Sequence, residues 1–145
     1  MSLARKAIRA RVRTVLLNNT DAADRVYANR VTPHFTTELP AIVIRTETED
    51  VERVFEVEPR TYKRSLQLVI EILAEADSSL DDELDDLANA VQTLIEEDPN
   101  LNELCEECYL QQTSSSFVHN GDNLYGACVM RYLVEYYPPA IEPTP

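Results

Sequence analysis

Apolar positions near the start of the chain recur at helical spacing. Ala4, Ile8, Val12, Val15 and Leu16 form one stripe and predict a helix over residues 3–17, with Ser2 as its N-cap. Arg5, Lys6, Arg9 and Arg13 lie off that stripe, and the polar run Asn18-Asn19-Thr20-Asp21 stops the helix. A second helical pattern runs through Leu80, Leu84, Leu87, Ala88, Val91, Leu94 and Ile95 and predicts a helix over residues 80–97. Ser79 is placed to cap it. Asp81, Asp82 and Glu83 suit the positive end of its dipole, and Asp98-Pro99-Asn100 ends it.

Elsewhere the period changes to two. Tyr62, Leu66, Leu68, Ile70 and Ile72 take even positions, while Lys63, Ser65, Gln67 and Glu71 take odd ones. This alternation predicts a long strand over residues 61–75 with one face on the core. Val69 and Leu73 imply partial cover on the odd face too. Residues 24–31 predict a short strand that Pro33 ends. Pro40 opens the run Ala41-Ile42-Val43-Ile44, a central strand reaching about Glu47. Residues 48–59 are acidic with scattered apolar positions, and read as an excursion, a weak strand, or both. Residues 109–118 and 124–137 predict a strand pair turning at His119-Asn120-Gly121-Asp122-Asn123, where Asn-Gly signals a hairpin. Ser114-Ser115-Ser116 packs little and belongs at an edge or exposed rim. The order of elements predicts an α+β fold, a mostly antiparallel sheet with two helices packed on one face. Residues 1–137 read as one domain and residues 138–145 as a stiff, Pro-rich tail.

Composition narrows the function classes. A chain of 145 residues is the size of one ordinary domain and needs no metal or disulfide staple. Its two glycines, Gly121 and Gly126, cannot build a phosphate-binding loop or a dinucleotide fingerprint. No targeting or membrane-spanning segment is visible, and three cysteines do not make a secreted disulfide framework. The expectation is a soluble protein of a reducing cytoplasm without membrane contact.

Charge is strongly segregated. The chain carries a net charge of -13. Residues 1–30 hold seven bases and two acids, whereas residues 71–108 hold fourteen acids and no base. Such a chain repels nucleic acid as a whole. Opposite charge on two elements either lets copies attract one another head to tail or marks two solvated helix faces with no partner. The basic helix, with Arg5, Lys6, Arg9, Arg11 and Arg13, has no aromatic for base stacking and suits an acidic protein surface equally well.

Candidate chemistry is sparse. Cys105-x-x-Cys108 with His119 and Cys128 has the donor types of a zinc site, but the spacing matches no compact zinc module. Glu103, Glu106 and Glu107 also discourage thiolates there, so buried thiols are the simpler expectation. The run Asp81-Asp82-Glu83 with Asp85-Asp86 lacks the spacing and glycine of a calcium loop and reads as a solvated or docking helix face. There is no Gly-x-Ser-x-Gly, and neither His34 nor His119 sits beside a nucleophile and an orienting acid. No catalytic residue and no cofactor is expected.

The succession of a basic N-terminal helix, Leu39-Pro40-Ala41-Ile42-Val43-Ile44, the strand from Arg60-Thr61-Tyr62-Lys63-Arg64-Ser65-Leu66 to Ile72, an acidic amphipathic helix and a last hairpin ending in Tyr136-Tyr137 resembles the tail terminator family of long-tailed bacteriophages. These are also called minor tail protein U-like or tail-completion proteins. The resemblance covers about residues 3–137 and implies a sheet flanked by helices and a structural, non-enzymatic virion protein assembled in the host cytoplasm. It further implies a homohexameric ring on the end of the tail tube, partnered by the tube protein, the head-completion or connector protein and, in contractile tails, the sheath. DNA would pass through such a ring without sequence-specific binding, helped by a negative lumen. The subunit or tube contact is expected to use Arg5, Arg9 and Arg13, or Glu47, Glu49, Asp50 and Arg53 of the 47–60 stretch. The alternatives are another neck or head–tail joining protein, or a zinc-binding regulatory domain on Cys105, Cys108, His119 and Cys128.

Overall fold

A computed structural model describes residues 4–23, 25–28, 40–53, 62–75, 80–120 and 123–137. The elements are α1 (Ala4–Leu16), β1 (Val26–Ala28), β2 (Ala41–Arg53), β3 (Tyr62–Glu75), α2 (Leu80–Glu96), β4 (Glu107–Asn120) and β5 (Asn123–Tyr136). The five strands form one sheet in the order β1-β2-β3-β5-β4. β1 runs parallel to β2, and every other neighbour is antiparallel. The fold is α+β, as the alternating periods predict.

Both helices pack on one face of the sheet. From α1, Ile8, Val12 and Leu16 are buried, and from α2, Leu84, Leu87, Val91 and Ile95. They meet the even-numbered side chains of β3 (Leu66, Leu68, Ile70, Ile72) and β5 (Cys128, Met130, Tyr132, Val134, Tyr136) in a single core. The helical stripe and the strand alternation therefore point at the same interior. The opposite, open face holds a small apolar group of Val43, Leu73 and Ala127. Val69 is also fully buried there, with Arg45 and Arg131 as its cross-strand neighbours on either side. None of the described helices is long and apolar enough to cross a membrane.

Three details differ from the expected pattern. β2 does not stop near Glu47 but continues to Arg53, because β3 is long enough to pair with it throughout. Its register shifts between Thr46 and Glu49, so Glu47 and Thr48 together oppose Gln67. β4 begins at Glu107 and β4 and β5 pair out to Asn120 and Asn123, leaving a tighter connection than the five residues expected. The N-caps at Ser2 and Ser79, the residues Gly121 and Asp122, His34, residues 54–61 and the Pro-rich tail lie outside the described residues.

Candidate assembly surface

The β2 bulge governs the charged surface. A strand sends successive side chains to opposite faces, so Glu47 and Glu49 would share a face in an unbroken strand. The extra residue sends them to different ones. Glu47 stays on the open face, where Arg131 donates to it at 2.7 Å and Arg45 at 3.3 Å. Arg45 also reaches Glu71 at 2.8 Å. Further along, Lys63 pairs with Glu135 at 3.0 Å. Burial would raise the Glu47 carboxyl, but hydrogen bonds from Arg131 and Arg45 outweigh it and hold the group below the usual 4.5.

Glu49 turns to the helix face. Its carboxylate accepts from Arg64 at 2.8 Å and from the Tyr136 hydroxyl. Burial, followed by the neighbouring Glu49, pushes the Tyr136 phenol up, so it remains a donor at any physiological pH. Asp50 and Arg53, on the same stretch of β2, are exposed.

The basic helix is less free than its sequence suggests. Arg9 donates to the Thr46 hydroxyl at 2.9 Å, and Arg13 to the Val26 carbonyl at 2.9 Å. Arg11 forms an ion pair with Asp98 at 2.8 Å. Of these three contacts only that of Arg11 matches charge within the subunit, with an acid in the turn after α2. Arg5 is exposed near the Tyr136 end of the sheet. On α2, Asp82, Glu83 and Asp86 with Asp21 line an open cleft of about 310 Å³, an acidic wall.

The four candidate zinc ligands do not converge. Cys108 is level with Val134 on β5, whereas Cys128 lies six residues back along that strand, roughly 20 Å away at strand rise. The backbone of His119 is opposite Leu124, farther still in the same direction. Among the described residues no group of three or more His, Cys, Asp or Glu side chains is placed to hold a metal. Burial first, then Asp98, pushes the Cys105 thiol up to about 11. Burial likewise pushes Cys108 up to about 12 and raises Cys128. Neutral thiols are poor metal ligands and poor nucleophiles.

Arg45, Arg64, Glu71, Arg131 and Tyr136 were not foreseen as surface-organising residues. Most of their partners are 15 to 87 positions away in sequence, as in the Arg64–Glu49 and Tyr136–Glu49 contacts, while Arg45 also reaches Glu47 two positions on. The local signal, charge at odd positions of otherwise apolar strands, marks Arg45, Glu71 and Arg131 but not Arg64 or Tyr136.

A family model for phage minor tail protein U matches residues 3–136, from the residue before α1 to the last residue of β5. The chain belongs to the phage minor tail protein U family. It is accordingly a structural protein of the phage tail and a virion component. No curated protein matches it. Among solved structures, a chain of the "Virion of native gene transfer agent (GTA) particle" is similar with a TM-score of 0.44 and 16% identity, over 93% of this chain and 99% of that one. A likeness that distant adds nothing to the family membership.

Proposed function

We propose that this tail protein ends the tail tube. Six copies close into a ring on the last layer of the tube, stop its polymerisation and present a surface to the head-completion proteins. The observation that carries this reading is the family match over residues 3–136. The charge layout supports it, since a basic and an acidic region on one subunit suit a head-to-tail contact repeated around a ring. The ring's neighbours are the tube protein on one side and a connector on the other, with the sheath alongside in a contractile tail. Subunits of net charge -13 make a ring through which DNA slides without sticking. Assembly takes place in the host cytoplasm. Candidate contact residues are Arg5 on α1 and the β2 stretch with Glu47, Glu49, Asp50 and Arg53. Arg9 and Arg13 contribute while holding α1 to the sheet.

Native mass spectrometry at several concentrations and two salt levels, with and without tube protein, tests the ring. The expected result is a species of six copies that weakens at high salt. A species of any other fixed number on the tube end contradicts the hexamer. Binding to the connector but never to the tube contradicts the terminator role and favours another neck protein.

A further inference from the structure

The sheet has two open margins of different character. β4 is fourteen residues long and is bonded to β5 on one side and, among the described residues, to no strand on the other. Gln111, Gln112, Thr113, Ser114, Ser115 and Ser116 are all exposed. From Tyr109 to Val118 the strand has no charged residue and no proline. Strand edges that remain free are ordinarily guarded by lysine, proline or inward charge, because unpaired N–H and C=O groups recruit another strand. The strand has one irregularity, a register shift between Leu110 and Gln112. From Gln112 to Val118 the edge is regular and unguarded, which with 27% of the chain charged fits a strand that is paired in its working state.

At the other margin, β1 covers only the start of β2, pairing with Ile42, Val43 and Ile44. The outward Val26 carbonyl of β1 is already taken by Arg13. Beyond Ile44, β2 continues from Arg45 to Arg53 with no strand on its outer side among the described residues. Glu47, Thr48, Asp50, Val51 and Glu52 are exposed there.

Strand direction makes these two margins compatible. β2, β3, β5 and β4 are successively antiparallel, so β4 is antiparallel to β2. A second copy set alongside in the same orientation offers its β2 to the first copy's β4 in the antiparallel sense. Each side contributes roughly 30 Å of strand. The acids of β2 then meet hydroxyls and amides, whereas β2 against β2 would set acid against acid.

We infer that neighbouring subunits of the ring are joined by continuation of the sheet, β4 of one copy pairing antiparallel with residues 45–53 of the next. This rests on the ring reading above. The junction uses two different patches at every step, as a closed ring requires. Pairing of β4 with β4 would be two-fold and would end at a dimer.

Two double variants sample two registers: Asp50→Cys with Gln112→Cys, and Asp50→Cys with Ser114→Cys. Within one chain these strands lie three spacings apart, about 14 Å, too far for a disulfide. After assembly with tail tubes and mild oxidation, denaturing gels without reductant should show a ladder of linked chains up to six in at least one double variant. The single variants should show no linking beyond that of the unmodified protein. Rings visible at tube ends with no ladder in either register overturn the sheet junction and leave the ring standing. Linked pairs from Ser114→Cys alone, without a ladder, point to two-fold pairing and overturn it too. Absence of any ring in the unmodified protein contradicts the proposed function itself and removes this inference with it. Independently, Ser114→Asp with Ser116→Asp, on the same face of the sheet as Asp50 and Glu52, should raise the concentration needed for rings about tenfold through like-charge opposition. The thermal midpoint of the free subunit should not change, because both positions are exposed. Unchanged ring assembly in this variant overturns the inference.

Discussion

Glu47 and Glu49 are two positions apart and chemically identical, yet their environments make them unequal. Glu49 has a nearly covered side chain, 9% exposed, whose carboxylate accepts from Arg64 Nη1 and the Tyr136 hydroxyl, while Arg64 Nε is buried without a partner. Replacing it with Gln should cost about 2 kcal/mol, because a half-buried guanidinium loses its charge partner. Glu47 is more open, at 34%, and Glu47→Gln should cost less than about 1 kcal/mol. Urea midpoints of the two variants check the order. The lowered folded pKa of Glu47 also fixes a pH dependence. Its stabilising contribution is present above the ordinary value of 4.5 and is lost as pH falls through the lower folded value. The gap between wild type and Glu47→Gln should therefore close in acid. Tyr132 offers an opposite case, since its hydroxyl is buried with no hydrogen-bond partner. Tyr132→Phe removes a polar atom that gains nothing from burial, so the urea midpoint should stay level or rise. A loss above about 1 kcal/mol would show that the hydroxyl is satisfied in solution.

At the scale of elements, local periodicity made both helices and β3 legible, because their apolar spacing is a property of neighbouring residues. What the alternation could not reveal was register. The bulge that separates Glu47 from Glu49 exists only because β3 pairs with both halves of β2. The parallel pairing of β1 has no local signature either. The contacts that hold the charged surface together join residues far apart in sequence, so the surface was legible only as a list of charges. The Cys-x-x-Cys spacing suggested a cluster that the strand register then spread apart. The turn after α2 was equally hidden. Leu101, Asn102 and Glu103 all have positive φ, at 48°, 56° and 69°. The Asp98 carboxylate helps hold this turn by accepting the Asn102 N–H at 3.0 Å while also pairing with Arg11. Left-handed backbone costs a non-glycine residue about 1 kcal/mol. Glu103→Gly should therefore raise stability by about 0.5–1 kcal/mol in thermal or urea unfolding. A destabilised variant would mean that the Glu103 side chain contributes more than its strain costs.

For the whole molecule, the separation of charge along the chain becomes partly internal. Arg9, Arg11 and Arg13 each bind another element of the same subunit, so reversing them would disturb the fold as well as any junction. Arg5→Glu is the cleaner probe of the basic helix. It should weaken ring assembly at low salt, with a smaller effect at high salt where surface charge is screened, and leave unfolding unchanged. An equal effect at both salt levels would remove electrostatics from that contact. The central claim, that this tail protein caps the tube, is tested most directly by the length of tubes grown from purified tube protein as the chain is titrated in. The account predicts that growth stops at a length set by the ratio of the two proteins, with one extra ring at the finished end. Tubes that keep growing at every ratio, with the chain absent from their ends, would contradict it.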